Sequence, residues 1–173
     1  MIPTDETNEA ETTILCKSCG LCCSGHLFSW VRLNAPELNP AQSLGLNVIR
    51  NNPRQRGFTQ PCPLWQGMCT VYASPYYPRG CRNYQCIQFK ELSAGNTSLP
   101  NALTTVEQAR EMIRDLDAYL PGSKTISFRD RLIETMEDSK NTDVTFRQKA
   151  NALLEIFGKS FGVRDFFDDP VQE

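Results

Sequence analysis

The chain has 173 residues, a formal net charge of −2 and 40 % hydrophobic residues, enough for one ordinary domain or a small module joined to a helical subdomain. No run approaches the ~20 apolar residues a membrane helix needs, so no membrane role is expected. The polar, acidic start from Met1 to Glu11 lacks the basic and then apolar pattern of a secretory signal, which points to a reducing cytoplasm where thiols stay free or hold metal.

Residues 1–12 read as a mobile acidic arm. Cys16-Lys-Ser-Cys19-Gly-Leu-Cys22-Cys23 follows and holds half of the eight cysteines. Leu27, Val31 and Leu33, with Trp30 out of phase, predict a short strand. Asn34-Ala35-Pro36-Glu37 predicts a helix start, with Gly45 as its stop. Pro53, Gly57, Pro61 and Pro63 predict loop or edge structure over 50–63. From Pro61 to Phe89, four prolines and two glycines leave no room for a long helix. Here Cys62, Cys69, Cys81 and Cys86 sit among Trp65, Val71, Tyr72, Tyr76, Tyr77, Tyr84 and Phe89, which are expected to form a small apolar shell.

Ser93 to Ser98 reads as a linker. Thr104 and Glu107 have capping-box spacing and predict a helix carrying Val106, Ala109, Met112, Ile113, Leu116 and Leu120 inward, ended by Pro121-Gly122. Ser127 predicts the cap of a second helix with Phe128, Leu132, Ile133 and Met136 inward. A third is predicted from Thr142 or Asp143, carrying Phe146, Ala150, Leu153, Leu154 and Phe157 to Gly158. The expected fold is therefore mainly α: a small irregular α+β cysteine-rich metal-binding module over 13–92, a helical region over 93–167 packed on it, and a tail at 168–173.

Charge is unevenly spread. Between Thr12 and Lys90 there are eight basic residues and one acid, Glu37, a formal +7, whereas ten basic residues and fifteen acids follow from Glu91 onward. Arg and Lys near thiolates lower thiol pKa values and offset the negative charge of a metal–thiolate site. Arg79 and Arg82, which flank Cys81, are expected to matter most in that role.

Two compact cysteine clusters in a reducing compartment point to metal ligation by Cys16, Cys19, Cys22, Cys23, Cys62, Cys69, Cys81 and Cys86. Zinc takes four thiolates in a tetrahedron, often from short Cys-x2–4-Cys hooks, and Cys16/Cys19 makes one such hook. Cys81/Cys86 makes a slightly wider one. Cys16-x2-Cys19-x2-Cys22 also matches the first three positions of a bacterial ferredoxin run, so an iron–sulfur cluster is the rival to zinc. Side chains of adjacent residues diverge, so Cys22 and Cys23 are expected to serve different centres. His26, the only histidine, is expected to be a non-ligand because eight thiols already suffice. No catalytic residue is assigned, and there is no Walker-type phosphate loop.

Cys16-x-x-Cys19-Gly20-x-Cys22-Cys23, then Pro61-Cys62-Pro63, Gly67-x-Cys69-x-Val71-Tyr72 and Pro78-x-x-Cys81-Arg82-x-Tyr84-x-Cys86, resembles the bacterial cysteine-cluster family named for its CxxCxxCC motif. That family is described as a zinc- or iron-chelating domain related to flagellin lysine N-methylases. The resemblance covers about residues 14–90 and implies metal chelation by the eight cysteines. Tyr77 stands where the family often has Arg before the proline, with Arg79 just after Pro78. The expected function is a cytoplasmic metal-binding protein holding zinc or iron, in one or two centres. One alternative is a metal- or cluster-dependent protein-modifying enzyme such as a lysine N-methylase. Another is a module binding nucleic acid or a protein partner through a basic aromatic face, with nucleic acid ranked behind the metal ion.

Overall fold

The computed structural model describes residues 9–141 and 143–167, and the account below concerns those residues. Helix α1, Glu11–Cys19, ends at Gly20, whose φ of 68° turns the chain in the left-handed region that glycine adopts without steric cost. Strand β1, Trp30–Arg32, leads into a short 3-10 turn over Ala35–Glu37 and then helix α2, Leu38–Ser43. Asn34 and Glu37 form a reciprocal capping box at that turn, with Pro36 in the first positions. Gly45, at φ 97°, ends the unit where its sequence predicts.

Two further strands follow, β2 at Val48–Ile49 and β3 at Gly57–Thr59. They make a three-stranded antiparallel sheet in the order β1-β3-β2, with Val31 opposite Phe58 and Val48 opposite Phe58 on the other edge. The proline-flanked segment expected to be loop or edge thus supplies the central strand. Its prolines lie outside the paired residues, and Gly57 permits the close pairing. A Cβ there would stand 1.9 Å from the Val31 carbonyl oxygen.

Helices α3, Arg79–Asn83, and α4, Ile87–Ser93, are short, as the prolines require. The long helices are α5, Leu99–Asp117; α6, Phe128–Glu137; and α7, Val144–Phe161. Val106, Ala109, Ile113 and Leu116 of α5 are buried against Phe146, Ala150, Leu153 and Phe157 of α7, at the spacing of one helical face. Leu15, Leu21 and Leu27 from the cysteine end complete the same core, so the helices pack on the first cysteine segment. A second, smaller core gathers Val31, Leu33, Ala41, Leu46 and Phe58 around the sheet. Ties between the two parts include Ser29 Oγ donating to Asp130 (2.6 Å) and the Arg129 amide donating to the Gly25 carbonyl (3.0 Å).

Several expectations shift. Of the arm expected at 1–12, residues 1–8 lie outside the described residues, and Glu11 and Thr12 already belong to α1. The tail at 168–173 also lies outside them. Helix α7 runs through Gly158 and stops at Gly162, φ 80°, because Phe157 and Phe161 both seat in the core and keep the last turn wound. Trp30 is buried together with Val31, since the strand is covered on both faces. The aromatic shell expected between Pro61 and Phe89 does not close. Tyr76 and Tyr84 are 59 % and 38 % exposed, and from Pro61 to Glu91 only Pro78 is buried.

Helix α5 also starts earlier than its predicted cap. Ser98 accepts from the Asn101 amide, Pro100 occupies the first turn, and Thr104 lies inside the helix, its hydroxyl donating to the Pro100 carbonyl. Replacing Ser98 with Ala should therefore cost about 1 kcal/mol of stability in urea unfolding. Thr104→Ala should cost nothing measurable, and a larger loss from Thr104 would restore it as the cap.

Candidate metal centre

Helix α1 carries Cys16 and Cys19 on its last turns and stops at Gly20. The reversal is held by the Ser24 amide on the Gly20 carbonyl (2.8 Å) and by the His26 and Leu27 amides on the Leu21 carbonyl. The Trp65 ring lies against Gly20, where a Cβ would stand 2.2 Å from Cζ2. Cys22 and Cys23 sit in the turn. Cys22, Cys19 and Cys86 pack against the helical core, while Cys62 and Cys81 pack against the sheet core. The Cys62 amide donates to the Cys23 carbonyl (2.6 Å) and the Cys69 amide to the Lys17 carbonyl (3.2 Å), which lays the second cysteine segment along the first.

All eight cysteines are free thiols and half-buried. Burial is the leading reason thiol pKa values rise to about 11 at Cys16 and about 12 at Cys19, and move in the same direction at Cys22, Cys23, Cys62, Cys81 and Cys86. After burial, the neighbouring thiols decide. Ionisation of Cys22 is opposed by Cys19, Cys23, Cys86 and Cys16, in that order; ionisation of Cys23 by Cys81, Cys62, Cys69 and Cys16. Cys19, Cys22 and Cys86 thus neighbour one another, as do Cys23, Cys62, Cys69 and Cys81, while Cys16 acts on members of both sets and Cys23 also acts on Cys22.

Among the described residues, no three Cys, His, Asp or Glu side chains converge tightly enough to form a closed metal site as they stand. The donor chemistry nevertheless suits a thiophilic metal: reduced, half-buried thiols gathered in two groups, with few competing oxygen ligands.

Each group has an aromatic flank. Phe28 meets Tyr84 edge-on (centroids 4.9 Å apart) beside the first, and the Tyr84 hydroxyl is pushed up by burial and then by Cys22, Cys86 and Cys19. Tyr72 and Tyr77 are in ring contact (5.0 Å); Tyr72 hydrogen-bonds Cys16 of the first group, and the Tyr77 hydroxyl is pushed up by burial and then by Cys81, Cys16 and Cys69. The Cys86 sulfur also accepts from the Phe89 amide (3.4 Å) at the start of α4.

The Arg82 guanidinium lies over the Tyr77 ring at 5.6 Å, beside the second group, and the Arg79 backbone amide donates to Glu37. The bases that favour thiolate are Arg110, acting on Cys19, and Lys90, acting on Cys86. Arg110 reaches from α5 to donate to the Ser18 and Cys19 carbonyls, filling the C-terminal acceptors of α1. Nothing in the spacing of the cysteines signals a partner ninety residues away. His26 stands apart from both groups, edge-on to Phe128 at 5.3 Å, and burial pushes its pKa down to about 4.

No family model matches the chain, and no match is found among curated proteins or solved structures. The likeness to the CxxCxxCC family therefore rests on the motif residues alone.

Gly20 and Gly45 provide a test of the reversal, since both have positive φ but only Gly20 lies under a ring; nothing stands within 4 Å of a Cβ at Gly45. Gly45→Ala should cost about 1 kcal/mol, from the backbone alone. Gly20→Ala should cost clearly more and shift tryptophan emission to the red as Trp65 is displaced. Equal costs with unchanged emission would mean that the Trp65–Gly20 contact does not matter.

Proposed function

We propose that the chain is a metal-binding protein whose eight cysteines hold two thiolate centres, one from Cys16, Cys19, Cys22 and Cys86 and the other from Cys23, Cys62, Cys69 and Cys81. The observation that carries this reading is the lack of a core between Pro61 and Glu91, where Pro78 alone is buried although the chain follows a defined path of short turns. A segment that buries so little apolar surface needs another source of cohesion. Four of the eight thiols lie in it, and it runs against the other four.

Structural zinc in small peptides contributes an apparent ~10–16 kcal/mol, comparable to the whole stability of a typical domain. Because the thiols are protonated at neutral pH, loading releases protons and weakens as pH falls. The residues bind, and the aromatic flanks limit water. Zinc and iron both suit the donors, and a reducing compartment such as the cytoplasm keeps them competent. The motif resemblance supports the same reading.

The test is elemental analysis and visible spectroscopy of anaerobically purified protein, with Cys22→Ser and Cys23→Ser beside the parent. The expected parent holds two centres, colourless if zinc and brown if iron–sulfur. Each variant should lose one centre and keep the other, and the double variant should lose both. Reduced, folded protein without stoichiometric metal would overturn the reading, and a single centre lost in both variants would overturn the partition.

Metal removal should also act locally first. The Cys62, Trp65, Cys69 and Tyr84 amides, all hydrogen-bonded to backbone in the folded chain, should lose exchange protection on chelation before the amides of α5 and α7 do. Uniform protection after complete chelation would contradict the proposed dependence on metal.

A further inference from the structure

A cavity of about 350 Å³ lies among α5, the end of the Gly20–His26 reversal, Pro61 and the start of α6. Its walls carry Arg110, Arg114, Lys124 and Arg131, with Asp117 and His26. Two carboxylates serve these four cations. Asp117 pairs with Arg131 (2.7 Å) and Lys124 (3.4 Å), and Glu107 pairs with Arg114 (2.8 Å) and Arg110 (3.5 Å). These pairs sum to +2 at the cavity, and Glu111 and Asp115, which do not line it, also act on Arg114.

Two buried nitrogens at the cavity also lack hydrogen-bond partners, Arg131 Nε and His26 Nδ1. The Arg131 side chain is only 7 % exposed. A buried donor left unmade is costly and calls for an acceptor. Guanidinium forks match the oxygens of phosphate and carboxylate. The remaining wall is apolar, with Ile113 and Phe128 beneath and Ile126, 47 % exposed, at the mouth. The volume exceeds what a bare oxyanion needs and falls in the range of small-ligand sites, ~300–1,000 Å³.

We propose that this cavity binds a small phosphate monoester, its dianionic phosphate held by Arg110, Arg114, Lys124 and Arg131 and its organic body laid on Ile113, Ile126 and Phe128. A compact dianion fits four cations lining one small cavity better than a dicarboxylate, whose two charges stand apart. The site does not rest on the thiols' holding metal, although Ser24 and Pro61, the chain neighbours of Cys23 and Cys62, also line it. It touches their scaffold through Arg110, which also holds the Ser18 and Cys19 carbonyls.

Calorimetric titration of the full chain with phenyl phosphate, inorganic phosphate and succinate tests this at fixed low salt. Phenyl phosphate should bind saturably at one site, about tenfold tighter than inorganic phosphate because of the apolar wall. The rim variant Arg114→Gln/Lys124→Gln, whose side chains are 60 % and 85 % exposed and so leave the fold intact, should weaken phenyl phosphate at least about tenfold. Ile126→Ser should remove the advantage of phenyl phosphate over inorganic phosphate. Arg54→Gln, an exposed change outside the cavity, should leave binding unchanged. Absence of saturable binding, tighter binding of succinate, or an equal loss in Arg54→Gln would overturn the proposal.

Discussion

The left-handed reversal at Gly20 is the constraint on which the arrangement of thiols depends. It stops α1 just after Cys19 and lets the next two cysteines leave the helix in a tight turn. Without it, Cys22 would continue around α1 and lose its place beside Cys86 at the start of α4. Two neighbours hold the reversal: Trp65 packs against the glycine from the second cysteine segment, and Arg110 fills the α1 carbonyls from α5. Local turn chemistry, the second cluster and the helical region therefore meet at one residue without a side chain.

From that point the molecule divides by how it is held together. The helical core has the usual source of stability, apolar faces of α1, α4, α5, α6 and α7 removed from water around Phe146, Leu153 and Phe157. The sheet has a smaller version of the same thing around Phe58. The run from Pro61 to Glu91 has neither, and its aromatics lie half-open along the thiols rather than beneath an apolar layer. Weak burial and dense thiols in one stretch are two sides of one arrangement. The proposed metal centres would supply there what apolar packing supplies elsewhere.

Much of this was legible in the residues, for physical reasons. The stripes of α5 and α7 repeat at helical spacing because each has one face to bury, and Ser127 and Asp143 cap where their side chains can accept an amide. The mainly helical fold with a small irregular sheet followed from such local rules. What escaped them depended on contacts distant in sequence. Gly57 became central because β1 and β2 both needed a partner, and Ser98 rather than Thr104 capped α5 because the turn at Gly95 lets the helix begin earlier. Gly158 did not end α7, since Phe161 still had a core to reach.

The candidate site shows the same limit. The cysteines were visible as candidate donors, and the expected divergence of Cys22 and Cys23 came from their adjacency. The part of Arg110 and Lys90 was not visible, since how α4 and α5 dock brings Arg110 to Cys19 and Lys90 to Cys86. Buried arginines are invisible to a hydrophobic pattern, so Arg129 and Arg131, and with Arg131 the cavity beside His26, could be found only in three dimensions. Whether the thiols hold metal is decided most directly by X-ray absorption at the metal edge on anaerobically purified protein. The account predicts a first shell of sulfur alone, about four per metal atom as thiolate sites take. A shell dominated by nitrogen or oxygen would contradict it.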